Sequence, residues 1–486
     1  MFEKILIADR GAAAVRIART CERLAVATAA VYGEAEREAT HVEACDEAFP
    51  IAGSTANPDP ETVAAIVQAA IHCGAQAVYP GYGPLGRDAD FARSVAEAGL
   101  VYVGPSPESL ASLGDRLGAR SLATRAGVRS LAASSKPVTD TPEAYDLAEQ
   151  LGYPVAVKGL TAVAGHEPIR CDEPEELGPA LERARERALQ GSGDGRLYLE
   201  SYVELPRLLE VQLLCDSRGG CIALGEIETS LRRGTRRLLD ESPAPALGSL
   251  VQSELKRGIL WDSAIRVARE AKLHGLASAE FIMNRSGQLF FTRMRPQLQA
   301  SHPITEMCTG TDLVELQLRV AAGEAIPEEV QRIQPTGHAI GARVYAEDPA
   351  RDFAASEGSI ETLRWPLMAP GALRVESGEK APSEHRLEDE ALLSVVASRG
   401  QTRHQALLGL DRVLAEAAIA PLATNLRFLR RMLADESYRA GQYDVELCAR
   451  VLSTPDRTAP RREPTAPRTA EATGSPSRRP PPRAKR

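Results

Sequence analysis

The chain has 486 residues, 43% of them hydrophobic and 26% charged, with a net charge of −8, which leaves room for about three soluble globular domains. The last 33 residues carry nine Lys/Arg against three Asp/Glu, so everything before them is more acidic than the total suggests, and this balance excludes a nucleic-acid-binding core. No run approaches the roughly 18 apolar residues of a membrane span, and the start, MFEKILIADRG, has no apolar stretch like a signal peptide. The eight cysteines, Cys21, Cys45, Cys73, Cys171, Cys215, Cys221, Cys308 and Cys448, form no C-x-x-C pair and no metal-finger spacing. They are expected to be reduced core residues of a cytoplasmic protein.

In chain order, KILIA from Lys4 predicts a strand, Gly11 a turn, Ala12 to Leu24 a helix and Val26 to Tyr32 a second strand, the opening of a doubly wound α/β domain. One glycine is too little for a dinucleotide fingerprint. A helix from Pro60 to Cys73, a strand from Gln76 to Tyr79, the loop PGYGPLGRDADFA, a further helix and the strand LVYVGPS continue the pattern. Next come LGDRLGARSLATRAGV from Leu113, the strand YPVAVKG ending at Lys158 and Gly159, and the strand LYLESYV from Leu197 to Val203. Residues 454–486 hold eight prolines among Arg, Thr and Ala with no apolar period, the composition of a disordered tail.

The stretch from Glu280 to His302 predicts a strand, a turn at Ser286-Gly287, a second strand holding Phe290 and Phe291, an irregular segment through Pro296 and a helix from about Thr311. Two strands with alternating polar residues suit a metal and phosphate site, which wants carboxylates because magnesium takes oxygen ligands. The first strand offers Glu280, but the second offers Arg293 and Arg295. A cation beside a divalent metal is strongly disfavoured, so Arg293 is expected to pair with Glu280 instead. Ser301 and His302 are adjacent, and on a strand adjacent residues face opposite ways, which argues against a Ser-His hydrolase. The four arginines at 232, 233, 236 and 237 read either as an anion-binding surface or as a solvated strand and loop paired with Asp240 and Glu241.

These segments resemble biotin carboxylase, the ATP-grasp enzyme of acyl-CoA and pyruvate carboxylases, over about residues 1 to 452. IADRGAAAVRIART is similar to the family's I-A-N-R-G-E-I-A-x-R-I-x-R-T, FTRMRPQLQASHPITE to F-x-E-M-N-x-R-x-Q-V-E-H-P-V-T-E, and GHAIGARVYAEDP to G-H-A-I-E-x-R-I-N-A-E-D-P. The resemblance implies an α/β fold: an N-terminal doubly wound domain (1–113), an ATP-grasp domain (114–330) with a lid at about 132–204, a biotin carboxylase C-terminal domain (331–452) and the tail (453–486). It also implies ATP and magnesium as family ligands, with Arg116, Lys158 and Glu200 as the remnant nucleotide site.

Set against the family pattern, the reaction centre is altered. The second metal carboxylate is Arg293, the neighbouring asparagine Arg295, the bicarbonate arginine Gln297 and the general-base glutamate Ser301; a bicarbonate-side lysine is Arg237, a ribose-side histidine Leu208, and Thr235 and Ser201 replace a histidine and a lysine. Arg343 keeps the position of the arginine thought to stabilise the biotin enolate, and the glycine-rich lid retains Gly165 before Glu167 and Pro168. The expectation is a catalytically inactive homologue with no cofactor of its own. It would serve as a structural or regulatory subunit beside an active biotin carboxylase, a biotin carboxyl carrier protein and a carboxyltransferase, in a homo- or hetero-oligomer without nucleic acid or membrane. The alternatives are an active or weakly active biotin carboxylase and a nucleotide- or anion-sensing protein.

Overall fold

The structure, a computed structural model, describes residues 1–138, 141–161, 167–248, 250–367, 369, 371–386 and 391–454. At the N-terminus, β1 (Lys4–Ile7), β2 (Ala27–Tyr32), β3 (Glu47–Pro50), β4 (Ala77–Tyr79) and β5 (Val101–Tyr102) form a parallel sheet in the order β3-β2-β1-β4-β5. Parallel strands are covered on both faces, hence the unbroken apolar run. Ile5 and Ile7 join the core under the helix Gly11–Arg23, whereas Leu6 and Ala8 join the one under Pro60–His72 and Ala89–Glu97. Strand period sends alternate residues to opposite sides.

A small antiparallel sheet follows, β6 (Val155–Gly159), β7 (Ile169–Cys171) and β8 (Leu197–Ser201) in the order β7-β6-β8, packed under the helices Thr141–Leu151 and Pro174–Ser192. The main sheet has eight strands. From one edge they run β13 (Leu289–Arg295), β12 (Gly275–Met283), β9 (Arg207–Cys215), β10 (Cys221–Arg233), β11 (Arg236–Ser242) and β14 (His338–Tyr345), then Leu392–Gly400 and Leu373–Ser377. One face of β9 and β12 is apolar: Leu209, Val211, Leu213, Ala277, Ala279 and Phe281 belong to one core with the helices Arg116–Arg125 and Leu250–Glu270. The intervening residues Glu210, Gln212, Ser278 and Glu280 are buried on the other face, which is where the polar chemistry collects.

The helix expected from about Thr311 spans Leu313–Ala321, and a further helix, His302–Thr309, precedes it in the stretch left between Pro296 and Thr311. Pro303 opens this helix, since proline suits a first turn whose N–H has no intrahelical partner. Gly310 then adopts a left-handed φ of 72° as the stop. Ser301 and His302 therefore stand at a helix start, not on a strand, and the opposite-faces argument does not apply to them. Of the lid, 139–140 and 162–166 lie outside the described residues, as does the tail from 455. Among the described residues no helix is long and apolar enough to cross a membrane.

Candidate functional site

Register builds the site. Glu280 on β12 lies opposite Glu210 on β9 and opposite Arg293 on β13. Two carboxylates face to face on neighbouring strands repel, and Arg237 from β11 bridges them, bonding Glu210 and, at 2.9 Å, Glu280 Oε1. Arg293 Nε donates to Glu280 Oε2 at 2.6 Å and Arg295 Nε to Glu280 Oε1 at 2.5 Å. The pairing expected between Arg293 and Glu280 is present, with two further guanidinium partners. A β-bulge contributes: Phe281 pairs with Phe291 while Glu280 pairs with Arg293, so Thr292 is the extra residue, and its hydroxyl donates to Glu280 O at 3.0 Å.

Burial alone would push the Glu280 carboxyl up, but Arg293, Arg295 and Arg237 outweigh it and hold the group well below the usual carboxylate range. Both Glu280 oxygens are occupied by guanidinium donors. The donor set at this place is two carboxylates, Glu280 and Glu210, already held by three guanidiniums, which does not fit magnesium, and no cluster of three or more His, Cys, Asp or Glu able to hold a metal occurs among the described residues.

The arginine run divides in two, and neither half pairs as expected. Arg232 lies opposite Arg237 and Arg233 opposite Arg236 across the turn at Gly234-Thr235, so the period of two sends one pair to each face. Arg233 and Arg236 reach Glu347, a buried residue more than a hundred positions away. Asp240 is taken by Arg343 at 3.1 Å and Glu241 by Arg403 at 2.6 Å. On the inner face Arg232 donates to Thr229 O at 3.1 Å, and burial, reinforced by Arg237 and Arg293, lowers its guanidinium to about 9. The four side chains do not make one anion-binding surface.

Other positions singled out in the sequence are likewise engaged. Ser301 Oγ donates to Glu210 Oε1 at 3.1 Å. Gln297 Nε2 donates to Tyr82 O at 2.7 Å, and a Cβ on Gly86 would lie 2.6 Å from Gln297 Oε1, so that glycine admits the amide. Asp9 fastens the same loop, accepting from Tyr82 N at 2.8 Å and Gly83 N at 3.2 Å; burial raises its carboxyl to about 6. His302 Nδ1 lies 2.9 Å from Gln299 O, and burial, then Arg16, lowers its imidazole to about 3. In the small sheet Lys158 bonds Glu200, while Arg116 Nε donates to Gly159 O at 3.1 Å. Arg116, Lys158, Thr161, Glu167 and Arg187 line a space of about 30 Å³ beside this pair, room for water. Backbone N of Leu208 donates to Ser230 Oγ at 2.9 Å.

The residue that sequence reasoning missed is Glu210. Its signal was present: Glu210 and Gln212 alternate with Leu209, Val211 and Leu213 in an otherwise apolar strand, the mark of a strand with one polar buried face.

Comparison with known proteins accounts for this frame. Family models match the biotin carboxylase N-terminal domain at residues 1–110, the carbamoyl-phosphate synthase L chain ATP-binding domain at 115–329 and the biotin carboxylase C-terminal domain at 341–450. Biotin carboxylase 1 of Bacillus subtilis is 34% identical over 450 residues, covering 92% of this chain and 98% of that protein. The alpha3 subunit of the biotin-dependent acyl-coenzyme A carboxylase of Mycobacterium leprae is 34% identical, covering 89% of this chain and 71% of that protein. Among solved structures, the biotin carboxylase domain dimer of Hydrogenobacter thermophilus 2-oxoglutarate carboxylase, in complex with MgADP, ADP and bicarbonate, matches with a TM-score of 0.88 and 31% identity, covering 94% of this chain and 100% of that one. With all three family domains in order and relatives of this identity matched almost end to end, the chain belongs to the biotin carboxylase family.

Proposed function

We propose that this chain is a biotin carboxylase homologue that does not carboxylate biotin. In this reading it acts as a structural or regulatory subunit of a biotin-dependent acyl-CoA carboxylase, beside an active biotin carboxylase, a biotin carboxyl carrier protein and a carboxyltransferase. The observation that carries the reading is the enclosure of Glu280 by Arg237, Arg293 and Arg295. ATP-dependent phosphoryl transfer depends on positioning and on a metal that neutralises developing charge, and the side chains here neutralise one another instead. The Ser301 hydroxyl supports the same reading, because it takes no proton near neutral pH without a base, and its partner Glu210 is itself held by Arg237.

The test is ADP release by the purified chain with MgATP, bicarbonate and biotin. The expected rate is background; a bicarbonate- and biotin-dependent rate comparable to an active relative would overturn the proposal and restore ATP and magnesium as cofactors. Tagged recovery from the native cell followed by mass spectrometry tests the subunit role. Biotinylated protein and a second biotin carboxylase are the expected companions.

A second reading, metal-independent anion binding, is favoured by Arg232, whose half-buried guanidinium has, among the described residues, hydrogen bonds to Thr229 oxygens alone. Pyrophosphate added in EDTA then raises the thermal midpoint of the wild type and not of Arg232→Gln. Absence of any shift removes this reading.

A further inference from the structure

We infer that Cys215 and Cys221 are the two halves of a reversible cross-strand disulfide, closed by a peroxide-class oxidant. β9 ends at Cys215 and β10 begins at Cys221, and five residues turn the chain between them. Asp216 N donates to Gly220 O at 2.8 Å, Gly220 N donates to Asp216 Oδ1 at 2.8 Å, and Gly219 has a left-handed φ of 89°. That is a three-residue hairpin loop closed through a left-handed glycine.

Because Asp216 and Gly220 form the hydrogen-bonded pair that closes the loop, the next pair outward is a non-hydrogen-bonded one. In an antiparallel ladder such partners have their Cα atoms about 4.5 Å apart, with side chains on the same face, inside the range of about 4.4–6.8 Å that a disulfide spans. The next pair is Cys215 and Cys221. Their sulfurs are in contact at 2.6 Å, and both residues are buried. None of the other six cysteines faces a second cysteine across a strand register among the described residues. The six-residue separation hides the pair from any reading based on C-x-x-C spacing.

The chemistry balances with one hydrogen peroxide. Peroxide oxidises the less buried Cys221 to a sulfenic acid, breaking the O–O bond and releasing water; the Cys215 sulfur then attacks that sulfur, the S–S bond forms and a second water leaves with the proton of Cys215. The Cys221 contact and burial raise the Cys215 thiol well above its usual value, so closure is slow in the folded state and a dithiol reductant reaches the bond slowly. Closure clamps one end of β9, the strand that carries Glu210.

The experiment uses the full chain, treated with hydrogen peroxide, unfolded in guanidinium and titrated for thiols. Six reactive thiols are expected in place of eight. Trypsin cuts at Arg218, between the two cysteines, so LLEVQLLCDSR and GGCIALGEIETSLR are expected as one linked species that dithiothreitol separates. Cys215→Ser and, should that variant fold poorly, Cys221→Ala are expected to yield neither the linked species nor the loss of two thiols. Retention of all eight thiols in the wild type, linkage of a different pair, or loss of two thiols in both variants overturns the assignment.

Discussion

Two buried glutamates in this chain face the same kind of neighbour and respond in opposite directions. Glu280 has Arg293, Arg295 and Arg237, and is held well below the usual range. Glu306, on the helix after the site, has Arg16 at 3.0 Å and Arg374 at 2.8 Å, yet burial carries its carboxyl up. The difference lies in what surrounds the arginines. Around Glu306, Asp312 also draws on Arg16 and Glu376 also draws on Arg374, so carboxylates outnumber the inner cations. Around Glu280, Glu210 bonds Arg237 and Asp240 also acts on it, but Asp240 has its own partner in Arg343, and Arg293 and Arg295 leave the inner cations in excess. The Glu306 cluster, with carboxylates in excess, and the Glu280 cluster, with cations in excess, therefore set the same acid in opposite directions.

The comparison is broken most directly by Glu280→Gln. Three guanidiniums lose their shared counter-charge, and the expected loss is about 3–5 kcal/mol of unfolding free energy, read from denaturant midpoints at constant slope. Glu306→Gln removes a carboxyl that burial already pushes toward its neutral form, so its expected cost is smaller, about 2–3 kcal/mol by the same measurement. Equal losses would abolish the distinction between the two clusters.

His302 sharpens it through pH. Its imidazole is lowered to about 3 by burial and then by Arg16, with Arg374 acting in the same direction and Glu376 against them. A neutral buried histidine stabilises the fold fully above its unfolded value of about 6.5, and the contribution is lost as pH falls from there toward 3. Relative to His302→Asn, the wild type is expected to lose about 2 kcal/mol between pH 7 and pH 5, seen as a narrowing gap in thermal midpoints. The smallest effect is expected for Arg236→Ala. Arg236 is 44% exposed and shares Glu347 with Arg233, so the cost is about 1 kcal/mol or less, against a far larger one for the inward-facing Arg237.

Much of this was readable in advance, for reasons visible in particular residues. The N-terminal strands declare themselves because Ile5, Leu6 and Ile7 are apolar on both faces, and the Arg293–Glu280 pair because neighbouring strands of a hairpin dictate who faces whom. The bridge through Arg237 was not readable: it joins β11 to β9 and β12, and no local pattern states which strands become neighbours in an eight-stranded sheet. Glu347 was hidden for the same reason, as the partner of arginines far from it in the chain. The helix His302–Thr309 was not anticipated, although Pro303 in its first turn and Gly310 at its end are the residues that open and close it.

The main sheet crosses the boundary between the second and third family domains, since β11 pairs with β14 through Leu239–Ala342, Asp240–Gly341, Glu241–Ile340 and Ser242–Ala339. Those two parts consequently share one hydrogen-bonded ladder. A single cut between Ala322 and Thr336 would leave both fragments migrating as one particle on a sizing column, and would release the C-terminal piece only when the sheet itself melts.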